Sequence, residues 1–252
     1  MGINNHKKIY FASDNHLGAP DYKSSLEREK KFVQWLDFIK KDAQEIFLLG
    51  DIFDFWFEYK KVVPKGFVRV LGKIAEISDI GIPIHYFVGN HDLWMDDYFQ
   101  KELGIKVYNI PKDFTILGST FYIGHGDGLG PHDKGYKIIK KVFTNPFIKF
   151  LYKLIHPDIG ISLGQYLSKK NKLISGDKNV HFLDNDREWL AEYSKEKLEV
   201  KHRDYFIFGH RHLPIQIELN KNSKYINLGD WISHYTYGVF DGKKFETKKW
   251  KI

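Results

Sequence analysis

The chain has 252 residues, 39 Lys plus Arg against 32 Asp plus Glu, and no cysteine. That length suits one large domain, or one domain carrying an insertion; the missing thiols exclude disulfides and thiolate metal sites, and the basic balance favours an anionic partner. No uncharged stretch approaches the roughly 20 residues that cross a bilayer, and no apolar signal segment precedes the first strand, so a cytoplasmic protein, dissolved or peripherally attached, is expected.

Residues 9–13 form a short apolar run that ends in Asp14 and His16. Ser24 or Ser25 then caps a predicted helix reaching about Asp42, with Phe32, Val33, Leu36 and Ile39 on one face. A second run, 46–50, ends in Asp51. A helix over roughly 66–79 repeats the pattern with Val70, Ile74 and Ile77, and a third run, 86–89, leads into Asn90, His91 and Asp92. Strand and helix alternating through the first ninety residues indicate an α/β sheet with crossover helices. Next, Phe114, Thr115 and Ile116 face residues 120–123 across Leu117, Gly118 and Ser119, a predicted hairpin whose second strand runs into His125.

Residues 134–172 carry nine lysines and a single acid, Asp158, interleaved with aromatic residues and broken by Pro146 and Pro157. A helical insertion with both apolar and cationic surface is expected over 134–174, within a single domain spanning 1–252. It reads either as a solvated helical pair packed on the body or as a lid whose apolar face meets a ligand and whose lysines meet its phosphates. Further runs at 206–209 and 225–229 end in His210 and His212, and in Asp230; residues 214–252 read as short strands joined by polar turns. The expected fold class is α/β (α+β), with two mixed sheets packed against each other and flanked by helices.

Short continuous apolar runs fit strands buried on both faces, and open sheets gather their chemistry beyond the carboxyl ends of such strands. The first five strand ends are therefore expected to form one site from Asp14, His16, Asp51, Asn90, His91, His125, His210 and His212. A lone histidine at a strand end is ordinarily structural; that explanation would have to be repeated at one end after another. Asp51 follows a glycine, so the backbone can bend sharply and let one carboxylate bridge two ions. Asn90 offers a neutral carbonyl oxygen, and Asp54, Asp92 and Asp127 are placed to orient an imidazole or a loop. Oxygen and imidazole donors suit Mn2+, Fe2+, Zn2+ or Mg2+, in sufficient number for two divalent ions.

Five blocks in order carry a family resemblance: Asp14-Asn15-His16, Gly50-Asp51-Ile52-Phe53-Asp54, Gly89-Asn90-His91-Asp92, Gly124-His125 and Gly209-His210-Arg211-His212. In these the chain resembles the calcineurin-like metallophosphoesterases. The resemblance implies a four-layer sandwich of two mixed sheets between helices. It assigns one metal to Asp14, His16, Asp51 and His212 and the other to Asp51, Asn90, His125 and His210. His91 and Asn90 become the expected catalytic residues, His91 contacting a phosphate oxygen or protonating the leaving group.

A narrower resemblance rests on Phe55 and Trp56 after the second block, on Asp127, Asp133, Gly135 and Tyr136, on Asn145-Pro146, on the basic insertion and on Leu228-Gly229-Asp230-Trp231. These are similar to the UDP-2,3-diacylglucosamine pyrophosphatases. That group hydrolyses a lipid A precursor at the cytoplasmic face of the inner membrane, releasing UMP and 2,3-diacylglucosamine 1-phosphate, with the insertion as a cap around two acyl chains. It implies a lipid-linked nucleotide sugar as substrate, peripheral membrane contact, and neither nucleic acid nor an obligate protein partner. Asp133, Tyr136, Lys137, Lys140, Lys169 and Lys172 are the expected substrate-binding residues. His91 stands where many members of that group carry arginine. The rival expectation is an enzyme of the same fold acting on a nucleotide, a nucleic acid or a phosphoprotein.

Overall fold

Alternate side chains of the first two strands, β1 (Lys8–Ala12) and β2 (Ala43–Leu48), enter two different cores. Side chains of a strand point to opposite faces in turn, so the continuous apolar runs serve both faces of a buried sheet. The computed structural model describes residues 7–130, 134–179 and 188–251, with the side chains of 134, 135 and 169–179 left aside. In it β1 and β2 pair in parallel, followed by β3 (Ile84–Phe87) and β4 (Lys106–Tyr108). On the other side of β1 lies the antiparallel β10 (Thr236–Phe240), paired with β11 (Phe245–Lys249), which gives the order β11-β10-β1-β2-β3-β4.

The second sheet runs β5-β6-β7-β9-β8, built from β5 (Lys112–Ile116), β6 (Ser119–Ile123), β7 (Tyr205–Phe208), β8 (Pro214–Asn220) and β9 (Ser223–Leu228). Its three central strands are parallel and its two edge strands antiparallel. Ile9, Phe11, Phe47 and Leu49 meet Phe121, Ile123, Ile207 and Ile226 between the sheets. Tyr10, Ala12, Ile46 and Leu48 pack on the other face in one core with residues of α1 (Tyr22–Ile39), α2 (Val68–Asp79) and the short α3 (Tyr98–Glu102). The outer face of the second sheet is covered by α7 (Trp189–Val200), whose Leu190 and Ala191 rest on Phe206, Phe208 and Tyr225. The layers are therefore helix, sheet, sheet, helix, as expected.

Local boundaries differ from expectation in three places. Asp21, not Ser24 or Ser25, caps α1: its Oδ1 accepts from the Ser24 amide at 3.0 Å. Ser25 turns inward instead, its hydroxyl accepting from the Gly18 amide at 2.7 Å. The helix stops at Ile39, short of Asp42, whose carbonyl and carboxylate are taken by the Lys8 amide and the Tyr10 hydroxyl, each at 2.8 Å. The β5–β6 hairpin turns on two residues, Leu117 (φ 49°) and Gly118 (φ 85°), while Ser119 pairs with Ile116. Two successive positive φ values match the twist of the flanking strands, which a three-residue turn would not need.

The insertion comprises three helices: α4 (Lys134–Phe143), α5 (Pro146–Lys153) and α6 (Pro157–Asn179). Asn145 caps α5 and Pro146 occupies its first turn, where a missing N–H costs nothing. Tyr152 and Ile161 anchor the insertion on Phe55, Phe57 and Trp94, and the Trp94 indole donates to the Phe143 carbonyl at 2.6 Å. Ile138, Phe147, Phe150, Leu154 and Ile159 remain exposed. No helix among the described residues is long and apolar enough to cross a membrane.

Candidate metal centre

Six parallel strands, β1, β2 and β3 of one sheet and β6, β7 and β9 of the other, deliver their carboxyl ends to one place. Backbone hydrogen bonds stitch the loops there: the Asp14 amide donates to the Gly50 carbonyl, the Gly209 amide to His125 and the Trp231 amide to Asp14. Tight turns at these ends force unusual backbone. Of the eight non-glycine residues with positive φ among the described residues, five are Asp14, His16, Asp51, His210 and His212. Such conformations cost about 1–3 kcal/mol each and persist where the surroundings over-determine them. Gly50 (φ 85°) admits no side chain, because a Cβ there would lie 2.7 Å from both the Gly89 nitrogen and His125 Nδ1.

The donors converge. His16 Nε2 lies 3.7 Å from Asp51 Oδ2 and 4.0 Å from Asp14 Oδ1, and His212 Nε2 lies 3.5 Å from Asp14 Oδ1. On the other side of Asp51, His125 Nε2 is 3.4 Å from Asp51 Oδ2 and 3.1 Å from Asn90 Oδ1. Three groups bring one ligand atom from each member within 4.8 Å of the others: Asp14, His16 and His212; His16, Asp51 and His91; and Asp51, His125 and His210. Asp51 belongs to two of them, the position a bridging carboxylate needs.

Three of the imidazoles, those of His16, His125 and His212, are turned by their other nitrogen. His16 Nδ1 faces Asp54 Oδ1 at 3.2 Å, His125 Nδ1 donates to the Leu49 carbonyl at 2.6 Å, and His212 Nδ1 lies 3.6 Å from Asp230 Oδ2. With Nδ1 so engaged, the Nε2 lone pairs face inward; those of His16 and His212 stand 3.1 Å apart. Converging lone pairs, two carboxylates and an amide oxygen fit divalent cations better than any other occupant. Burial alone would raise Asp51, yet His125, His91 and His16 hold it well below the usual carboxylate range. Burial, reinforced by His125, pushes His210 down to about 3, so it is a neutral imidazole. Burial also works against charge on His125, but Asp51, Asp14 and Asp127 outweigh it and push it up to about 10. A bound cation would replace that proton.

Supporting groups surround the donors. Asp92 accepts from the Gly89 amide at 2.6 Å and the Ile52 amide at 3.1 Å, tying the second and third loops together. Asp127 accepts from Lys140 Nζ at 2.6 Å and from the Tyr136 hydroxyl at 2.5 Å, and Lys137 donates to the Gly130 carbonyl. Asp133 lies outside the described residues; α6 runs through Lys169 and Lys172, whose side chains lie outside them too. His91 donates its amide to Asp51 Oδ1 at 2.8 Å.

Sequence reasoning missed three contributors. Asp230 orients His212 from the sixth strand end, although the same glycine-then-aspartate signal marks it. Arg211, fully buried between two donors, pairs with Glu188 at 3.0 Å and lies 4.2 Å from the centre of the Trp189 ring, which fixes the loop carrying His210 and His212. Ser168 of α6 reaches both His91 and Asp54, and nothing in its neighbours along the chain signals this.

Known proteins are similar to this chain in sequence. A family model described as calcineurin-like phosphoesterase matches residues 7–214. A UDP-2,3-diacylglucosamine hydrolase of Porphyromonas gingivalis is 39% identical over 249 residues, covering 93% of this chain and 94% of its own. Proteins of the same name from Shewanella sp. (strain W3-18-1) and Vibrio atlanticus are 25% and 26% identical; the former covers 89% of both chains, the latter 95% of this chain and 96% of its own. From a match that spans every one of the five sequence blocks, the chain belongs to the calcineurin-like phosphoesterase family, and it is a metal-dependent hydrolase.

Proposed function

We propose that this hydrolase cleaves the pyrophosphate of UDP-2,3-diacylglucosamine, releasing UMP and 2,3-diacylglucosamine 1-phosphate in lipid A biosynthesis. The observation that carries this reading is the exposed apolar surface of the insertion that reaches His91 through α6. Phe147 is 64% exposed, Phe150 56% and Leu154 68%, on an insertion whose α6 touches His91. Exposed apolar patches of this kind mark binding surfaces. Acyl chains would cover it, each buried methylene contributing about 0.8 kcal/mol. The relatives with whole-length matches carry the corresponding activity in their names.

In this reading 134–174 is a cap within a single domain of residues 1–252. Asp14, His16, Asp51 and His212 would hold one divalent ion; Asp51, Asn90, His125 and His210 would hold the other, with Mn2+ the expected occupant. Divalent ions bound there would supply Lewis acidity, charge neutralisation at phosphate and a nucleophilic water near neutral pH. The chain's own residues do the rest. Asp51 spans the two halves, and Asn90 adds an oxygen donor without adding charge. His91 contacts a phosphate oxygen or protonates the leaving group. Tyr136, Lys137 and Lys140, with Asp133, Lys169 and Lys172, bind the headgroup, and lysines of the cap draw the protein to anionic lipid at the inner membrane's cytoplasmic face.

The test compares kcat/KM for UDP-2,3-diacylglucosamine with that for the same nucleotide sugar lacking acyl chains. A preference of at least about a hundredfold for the acylated substrate is expected, since about four buried methylenes already supply that factor. Equal efficiency, or a preference for single-stranded nucleic acid over both, would overturn the proposal.

A further inference from the structure

We propose that Ser168 is a positioning residue through which the helical insertion fixes the imidazole of His91. The inference rests on the reading that His91 acts at the substrate phosphate.

Gly160, Gly164 and Ser168 fall four residues apart and so share one face of α6. That face lies against the loop after β2. A Cβ on Gly160 would strike the Tyr59 hydroxyl, and one on Gly164 would strike the Phe55 ring. Two glycines therefore bring the helix backbone to its closest approach, and the next position on the same face carries a hydroxyl into the site. Ser168 is 9% exposed, and its Oγ lies 2.9 Å from His91 Nδ1, 2.9 Å from the Asp54 carbonyl and 2.9 Å from Asp54 Oδ2.

Counting hydrogens settles the direction of each bond. The Asp54 carbonyl only accepts, so His91 Nδ1, 3.0 Å away, carries a proton and donates it. Ser168 Oγ accepts a share of the same proton and donates its own to Asp54, whose carbonyl and Oδ2 both lie within reach, while Asp54 Oδ1 faces His16 Nδ1. One hydroxyl thus joins the cap, the residue proposed to act on phosphate and the carboxylate that orients a proposed metal ligand. With Nδ1 committed, Nε2 is the nitrogen of His91 left for a substrate. The ring is further held edge-on to His16, with centroids 4.6 Å apart. Removal of the hydroxyl leaves Nδ1 a single acceptor and frees the ring to turn.

The test uses a small activated phosphodiester, bis(p-nitrophenyl) phosphate, so that it does not depend on the lipid assignment. Ser168→Ala is expected to lower kcat about tenfold with KM and metal content unchanged. Ser168→Thr, which keeps the hydroxyl, should retain most of the rate, and Ser168→Val, of the same shape, should not. In a His91→Ala background Ser168→Ala should cost nothing further, since the two act as one unit. The proposal is overturned by a wild-type kcat in Ser168→Ala, by an equal loss in both backgrounds, or by equal rates for the Thr and Val variants. A wild-type kcat in His91→Ala would remove the reading of His91 itself, a distinct outcome that takes the proposal with it.

Discussion

At the scale of single residues, the candidate donors are side chains whose backbones are held in costly conformations. Asp14, His16, Asp51, His210 and His212 all have positive φ, which directs their donors at one point rather than along the strands. His91 differs: its amide is tied to Asp51 and its ring to Asp54 and Ser168, an orientation that supports the role proposed for it at phosphate. His91→Ala is expected to lower kcat roughly a hundredfold or more, the range for a lost general acid or oxyanion donor, with metal content unchanged. His91→Arg should keep more activity than His91→Ala, because a guanidinium can still donate to phosphate. Equal rates for wild type and both variants would make His91 structural. The candidate donors were legible because each lies within three residues of the small residue that ends an apolar run. Ser168 was not, since its role depends on where α6 docks, and Asp230 escaped because its histidine partner lies on another loop.

At the scale of elements, helix and strand identity followed from apolar spacing, while boundaries were decided by competition for hydrogen bonds. Asp21 caps α1 because it precedes the first turn and its carboxylate reaches the Ser24 amide; the serines lie already inside the helix. Asp21→Ala should cost about 1 kcal/mol of stability, read as a shift in the denaturation midpoint, whereas Ser24→Ala should cost a few tenths. The reverse order would return the cap to Ser24. In the insertion, prolines 146 and 157 mark the starts of α5 and α6, so three helices rather than two follow from the chain's own breakers. Its apolar excess was visible in composition, but which residues stay exposed depends on Tyr152 and Ile161 having taken the anchoring positions. Phe147→Ser combined with Phe150→Ser should raise KM for the diacylated substrate at least tenfold, with thermal stability and small-diester turnover unchanged, because both rings are exposed. A fall in melting temperature with KM unaltered would place them in packing instead.

At the scale of the whole molecule, two sheets share one apolar seam and aim six strand ends the same way. The two-sheet architecture was readable because runs such as 46–49 are apolar at every position, as strands buried on both faces must be. The convergence of the sixth end was not, because β9 lies between β7 and β8 in the sheet, an order that the chain sequence does not reveal. This geometry makes Asp51 the common member of both halves of the centre. The direct measurement is a titration of chelator-treated protein with Mn2+, following bound metal per chain together with phosphodiester turnover. Turnover should rise and saturate at two ions per chain in wild type, and Asp51→Asn should bind metal poorly and stay inactive. Wild-type turnover by metal-stripped Asp51→Asn protein would contradict the account.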